Sequence, residues 1–205
     1  MDVVGILLAA GHSRRFGAQN KLMQKLPDSR MLGLSSAQNL LAALPQSIAV
    51  VRSHYVELQS TLTAAGMQLV VCGEQEQEMG DSLAAGIRLA IRRYPQSRGF
   101  VIALGDMPYI QPETIREVAS RIEAGGGVVV PTYQGKRGHP VGFAARFSAD
   151  LLALNGEQGA RILFERYPAE VERFECNDPG ILLDIDTPAD LSGQKISSRQ
   201  RQVSG

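Results

Sequence analysis

Val3-Val4-Gly5-Ile6-Leu7-Leu8-Ala9-Ala10-Gly11 carries the chain from an unbroken apolar run into glycine-rich sequence. Val3–Leu8 has no polar alternation, the pattern of a strand covered on both faces, as in a parallel sheet. Comparable runs recur at Ser47–Val51, Met67–Cys72, Phe100–Leu104 and Val128–Val130. Between them, Leu32–Leu44, Val56–Ala65, Leu83–Ile91 and Ile115–Ile122 place apolar residues at helical spacing. Strand and helix alternate, so the sequence predicts an α/β fold, a single-domain, doubly wound, mostly parallel sheet with right-handed crossovers. Ligands of such sheets bind beyond the carboxyl ends of the strands, which directs attention to the residues after Leu8 and after Leu104.

Beyond about Lys136 the regularity weakens. Helical stretches are expected around Phe147–Leu154 and Ala160–Tyr167, with apolar runs at Val171–Phe174 and Ile181–Leu183. The expected domain spans residues 1–193. Residues 194–205 form a polar tail without apolar pattern, expected to be disordered. A chain of 205 residues, 44% hydrophobic and 20% charged, can bury one sizeable core without disulfide or metal staples. Its 21 basic and 21 acidic residues cancel, so no net field draws it to nucleic acid or to an anionic membrane. The first apolar run is too short to span a bilayer. Cys72 and Cys176 lack a metal or redox spacing and read as buried thiols of a cytoplasmic protein.

Residues 8–21, Leu-Ala-Ala-Gly-His-Ser-Arg-Arg-Phe-Gly-Ala-Gln-Asn-Lys, bring glycines, arginines and a lysine to the end of the first strand. Small residues let backbone N–H groups approach an anion, and the cations can neutralise a triphosphate. The stretch matches neither the Walker pattern nor the dinucleotide fingerprint, and a flexible loop with solvated arginines is the plain alternative. Gly105-Asp106-Met107-Pro108 places a carboxylate at another strand end. Asp106 can bind magnesium, a hard cation that takes one or two carboxylates plus phosphates and water, or it can cap the helix near Pro112. In Asp184-Ile185-Asp186-Thr187-Pro188, alternation puts both aspartates on one face, where they need a cation or a proton. Capping the closing helix is the other reading for Asp186, and Asp184 can be its partner or simply exposed. Gly138-His139-Pro140 follows Lys136 and Arg137; a lone histidine is commonly a structural hydrogen-bonding residue. Gly80 and Ser82 stand near a helix start, where backbone N–H groups and the hydroxyl can meet ribose or base. His12 and His54 read as surface residues.

The run Leu-Ala-Ala-Gly-x-Ser-x-Arg-Phe-Gly with Asn20-Lys21-Leu22, then Gly-Asp-Met-Pro, Gly-His-Pro and Asp-Ile-Asp-Thr-Pro, resembles in order and spacing the nucleotidyltransferases that mature molybdenum cofactor. The likeness extends from Val4 to Leu191 and implies a Rossmann-like nucleotidyltransferase fold. It implies NTP contacts from Leu8, Ala9, Ala10, Gly11, Ser13, Arg15, Lys21, Gly80, Ser82 and Gly105. It further implies Mg2+ on Asp106 and Asp186, catalytic roles for Arg15, Lys21, Asp106 and His139, and an acceptor positioned or charged by His139. Guanylyl-transferring relatives usually have Gly-Gly where Ala10-Gly11 stands, and the added methyl would narrow the base site. The cytidylyl-transferring branch is the closer likeness. The implied reaction moves CMP from CTP to a molybdopterin phosphate, releasing pyrophosphate, with a molybdoenzyme as the onward partner. Alternatives within the resemblance are GTP as donor, a sugar, polyol or other cofactor phosphate as acceptor, or a non-catalytic cofactor chaperone. Glu78 departs from the small residue common there, and Leu26-Pro27-Asp28 lacks the usual Gly-Lys-Pro.

Overall fold

The computed structural model describes residues 2–11, 20–73, 78–157 and 159–191. The first strand, β1 (Val3–Ala9), is the spine of the sheet. It pairs in parallel with β2 (Ser47–Arg52) on one side and β4 (Gly99–Leu104) on the other, while β3 (Gln68–Cys72) extends the β2 side. Helices α1 (Leu32–Ala43), α2 (Val56–Ala64) and α3 (Met79–Arg93) make the successive crossovers. After β3 the chain crosses back over β1 to form β4, so the strand order reverses between β1 and β4. That reversal opens the crevice in which such sheets bind ligands.

Alternation within apolar strands explains the two layers of core. Val3, Leu7 and Ala9 of β1 join α1, α2 and α4 (Pro112–Glu123), whereas Val4 and Ile6 join α3, α5 (Ser148–Leu152) and α6 (Arg161–Arg166). Gly86 lets α3 lie close on the sheet, because a Cβ there would meet Val50 Cγ2 at 2.8 Å. Each fully buried aliphatic side chain contributes about 1.5–3 kcal/mol of transfer free energy.

The expected first five strands and first four helices are present, with two informative shifts. Helix α3 begins at Met79, not Leu83: Glu78 is its N-cap, with its backbone N–H donated to Asp81 Oδ2 (3.3 Å). The part of the chain after β5 (Val128–Tyr133) is more regular than its sequence suggests. Lys136–Arg137 forms a short hairpin strand, β6, on β5. Val141–Ala144, to which the sequence pattern assigns no element, is a fully buried antiparallel strand, β7, inserted between β4 and β5. Four residues including Gly142 are too few to show a period, yet the strand is central. β8 (Val171–Glu175) then pairs in parallel with β5. Ile181 and Leu182 belong to a 3-10 turn, Pro179–Leu182, and the described chain closes with α7 (Pro188–Leu191). Among the described residues, no helix is long and apolar enough to cross a membrane. No disulfide joins the cysteines; Cys72 is buried, but Cys176 is half-buried, and burial pushes its thiol up, away from reactivity.

Candidate active site

Asp106 leaves the carboxyl end of β4 through Gly105, whose N–H donates to Leu8 O (2.9 Å) and whose carbonyl accepts from Ser36 Oγ (2.9 Å). A Cβ on Gly105 would stand 3.2 Å from Leu8 O and 3.4 Å from Ala9 Cβ, so the glycine permits this close approach to β1. The Asp106 carbonyl accepts the Ile185 N–H (2.9 Å), which pins the late acidic segment beside the β4 turn. Ile185 is buried, so Asp184 and Asp186 face together toward the crevice rim.

Lys21 completes the cluster. Asn20 caps the 3-10 turn Lys21–Met23 by accepting Leu22 N–H at 2.9 Å, and Lys21 Nζ donates to Asp106 Oδ2 (2.7 Å) and Asp186 Oδ1 (3.1 Å). Residues far apart in sequence thus converge on one ammonium. Burial alone would lower the Lys21 pKa, but the adjacent Asp106 and Asp186 outweigh it, so the ammonium is held protonated more firmly than usual. Asp184 keeps an exposed carboxyl that is nevertheless pushed up, first by partial desolvation and then by the charge of Asp186. Among the described residues, the site gathers crowded carboxylates around the Lys21 ammonium.

The capping alternatives find other occupants. Helix α4 takes Gln111 as N-cap, and buried Asp178, not Asp106, receives Gln111 N–H (2.9 Å) and Thr114 Oγ1 (2.8 Å). At α7, Asp190 Oδ2 receives the N–H groups of Asp186 (3.0 Å) and Thr187 (2.8 Å). The Asp186 side chain turns instead to Lys21.

His139 enters from the β6–β7 connection. Its N–H donates to Ile181 O (3.0 Å), its peptide bond to Pro140 is cis, and Gly138 packs so closely that a Cβ would meet Ile181 O at 2.5 Å. Imidazole Nδ1 is buried without a hydrogen-bond partner. Burial pushes the His139 pKa down to about 4, against a raising influence from Asp106. Of the two parts expected of His139, positioning or charging an acceptor, charging does not fit this burial, because near neutral pH the imidazole is uncharged. A depressed folded pKa means that the unfolded chain binds the proton first. Stability should thus be constant above about pH 6.5 and fall as pH drops from there toward 4. Thermal melts of wild type and His139→Gln across that window check this: the variant should lack part of the acid-side loss, and identical profiles would contradict the assignment.

On the nucleotide side, Leu8, Ala9, Ala10 and Gly11 lie at the end of β1, while Ser13, Arg15 and His12 lie outside the described residues. Among the described residues, nothing stands within 4 Å of a Cβ built on Gly11. The Ala10 methyl, by contrast, is buried in the apolar layer on the α3 side, 6% exposed. It does not narrow a base site by direct contact, and any influence on base choice passes through loop position. Gly80 donates its N–H to Gly156 O (2.9 Å), and a Cβ would meet the Asn155 backbone at 2.6 Å. That amide is engaged in packing, which removes the reason to assign it to ribose. Ser82 Oγ is buried without a partner in the first turn of α3. Sequence reading missed Arg52, which is buried at the carboxyl end of β2; the available signal was a charge closing an apolar strand. His54 is exposed and stacks edge-on against Tyr55.

Residues 5–171 match the model of the MobA-like NTP transferase domain. Curated proteins offer no match to the chain. Among solved structures, Rv0371c from Mycobacterium tuberculosis H37Rv is 27% identical with a TM-score of 0.75, over 93% of this chain and 95% of that one. The same protein in complex with manganese is 26% identical with a TM-score of 0.71, covering 94% of this chain and 97% of that chain. Molybdopterin-guanine dinucleotide biosynthesis protein A from Archaeoglobus fulgidus shares the fold at 20% identity and a TM-score of 0.60, over 96% of this chain and 100% of that one. A family match over most of the sheet, with the acidic cluster at the strand-order reversal, leads to one conclusion: the chain belongs to the MobA-like NTP transferase family and is a nucleotidyltransferase.

Proposed function

We propose that this enzyme transfers CMP from CTP to the terminal phosphate of molybdopterin, releasing pyrophosphate, in the cytoplasm. The observation that carries the reading is the Lys21–Asp106–Asp186 cluster beside the carboxyl end of β1 at the strand-order reversal. Donor and acceptor identity rest on the Ala10-Gly11 pair and on the Gly-His-Pro and Asp-Ile-Asp-Thr-Pro motifs. Molybdopterin guanylyltransfer and other phosphate acceptors are the outcomes that a substrate panel would reveal instead.

Two carboxylates sharing one cation form a hard-oxygen site, which fits a divalent metal. Among the described residues no group of three or more His, Cys, Asp or Glu side chains is arranged to hold a metal ion, so phosphate oxygens and water would fill the remaining positions. Asp106 and Asp186 would hold magnesium, and when bound it would neutralise charge on the phosphates. The manganese complex of Rv0371c supports a divalent ion as the class. Lys21 neutralises the carboxylates before substrate arrives and, with Arg15, the triphosphate afterwards. The acceptor phosphate is already ionised at neutral pH, so the chain need not supply a strong general base. Neutral His139 orients the acceptor without repelling or attracting it by net charge, and catalysis rests on positioning and charge compensation.

Mass spectrometry of products from purified protein, magnesium, mixed NTPs and molybdopterin tests the assignment directly. CTP should exceed GTP in kcat/KM, and Ala10→Gly, by shifting the position of the loop that follows, should narrow the gap. A GTP preference in the wild type, or a product from another acceptor alone, would replace the cytidylyl reading.

A further inference from the structure

Arg52 ends β2 as a charged residue on an otherwise apolar strand, yet it is only 4% exposed. Arginine is almost never buried so completely unless its guanidinium is engaged. Here Nε donates to the carbonyl of Ala10 at 2.7 Å. The register aligns Ala9 with Val51, so the side chain reaches across the strand ends to the step where β1 becomes the glycine-rich loop. The Ala10–Gly11 peptide is trans. In a trans peptide the N–H points opposite to the C=O, so anchoring the Ala10 carbonyl aims the Gly11 N–H away from the guanidinium. Among the described residues, none comes within 4 Å of the position a Gly11 side chain would take.

We propose that Arg52 is a positioning residue for nucleotide binding: it locks the Ala10–Gly11 peptide so that the Gly11 N–H is already presented to the phosphates of the incoming NTP. The inference rests on the reading of this loop as the nucleotide site. Its energetic content is preorganisation, since a peptide plane fixed before binding loses no orientational freedom when the anion arrives. Arginine suits the task because Nε lies within a rigid, planar head whose remaining groups can be held independently. A purely structural Arg52 would satisfy a buried carbonyl and support the fold without altering how tightly nucleotide binds.

Calorimetric titration of CTP and GTP into wild type, Arg52→Met, Arg52→Lys, Gly11→Pro and the Arg52→Met/Gly11→Pro double variant, with magnesium and no acceptor, separates these roles. Arg52→Met keeps the apolar stem and should weaken binding of whichever NTP the wild type prefers by about tenfold, the scale of one lost charge-assisted hydrogen bond. Arg52→Lys, which retains a donor of similar reach, should recover part of that loss and serves as the measurable variant if the Met protein does not fold. Gly11→Pro deletes the N–H itself, so the double variant should bind no more weakly than the worse single one. In turnover, KM for the NTP should rise more than kcat falls. A folded Arg52 variant with a lowered melting temperature but unmoved affinity, or additive losses in the cycle, would overturn the proposal. A wild type that binds neither nucleotide would overturn the nucleotide-site reading and this inference together, whereas a different acceptor leaves the titrations unaffected.

Discussion

Asp106→Asn is expected to lower nucleotidyl transfer roughly a thousandfold, the scale seen when a key electrostatic group leaves a preorganised site. The protein should remain folded. The contacts that shape the turn are made by backbone: Gly105 N–H to Leu8, and the Asp106 carbonyl to Ile185 N–H. Asparagine preserves volume and removes only the charge that faces Lys21, for a loss of about 1–2 kcal/mol. For a chain of this size that amounts to a few degrees in Tm. Asp186→Asn should act in the same direction with a smaller effect, because its oxygen stands farther from Lys21, at 3.1 Å against 2.7 Å. Pyrophosphate release beside a thermal melt is the measurement. An Asp106→Asn variant that melts normally and turns over at the wild-type rate would remove Asp106 from the chemistry.

Lys21→Met should reduce kcat about a hundredfold and also change how the protein responds to ions. Without the ammonium, Asp106 and Asp186 lose the donor that they share. Like charges at this range repel, so the variant should take up a cation in place of the ammonium. Magnesium alone, without nucleotide, should then raise the Tm of the variant more than that of the wild type, because metal and lysine compensate the same charges. Differential scanning with a magnesium titration reads this effect. Equal magnesium responses and an undiminished rate would mean that Lys21 is only a surface ion-pair partner.

The doubly wound core was legible because its signals are local. Val3–Leu8 and Phe100–Leu104 are apolar without alternation, and that pattern has few outcomes other than a strand between two helical layers. β7 escaped notice because Val141-Gly142-Phe143-Ala144 is short and contains glycine; only its neighbours β4 and β5 make it a strand. The acidic site was legible as separate motifs, but their convergence on one ammonium depends on pairings across 85 and 165 residues of sequence. The neutrality of His139 is equally unreadable, since burial, not residue type, sets it. Arg52 was hidden for the opposite reason: a charge at a strand end reads as solvated until the fold closes over it.

The central place of β1 also shapes how the molecule is made. β1 leaves the ribosome ahead of both its neighbours, and β2 can pair with one edge soon afterwards, but the other edge waits for Gly99–Leu104. During that interval a nascent chain carries an apolar strand with one side of its backbone unsatisfied, the kind of edge that recruits foreign strands. Slowing translation between residues 52 and 99 would lengthen that exposure. Holdase chaperones should therefore engage this protein mainly while α2, β3 and α3 are being synthesised, and release it when β4 seals the spine.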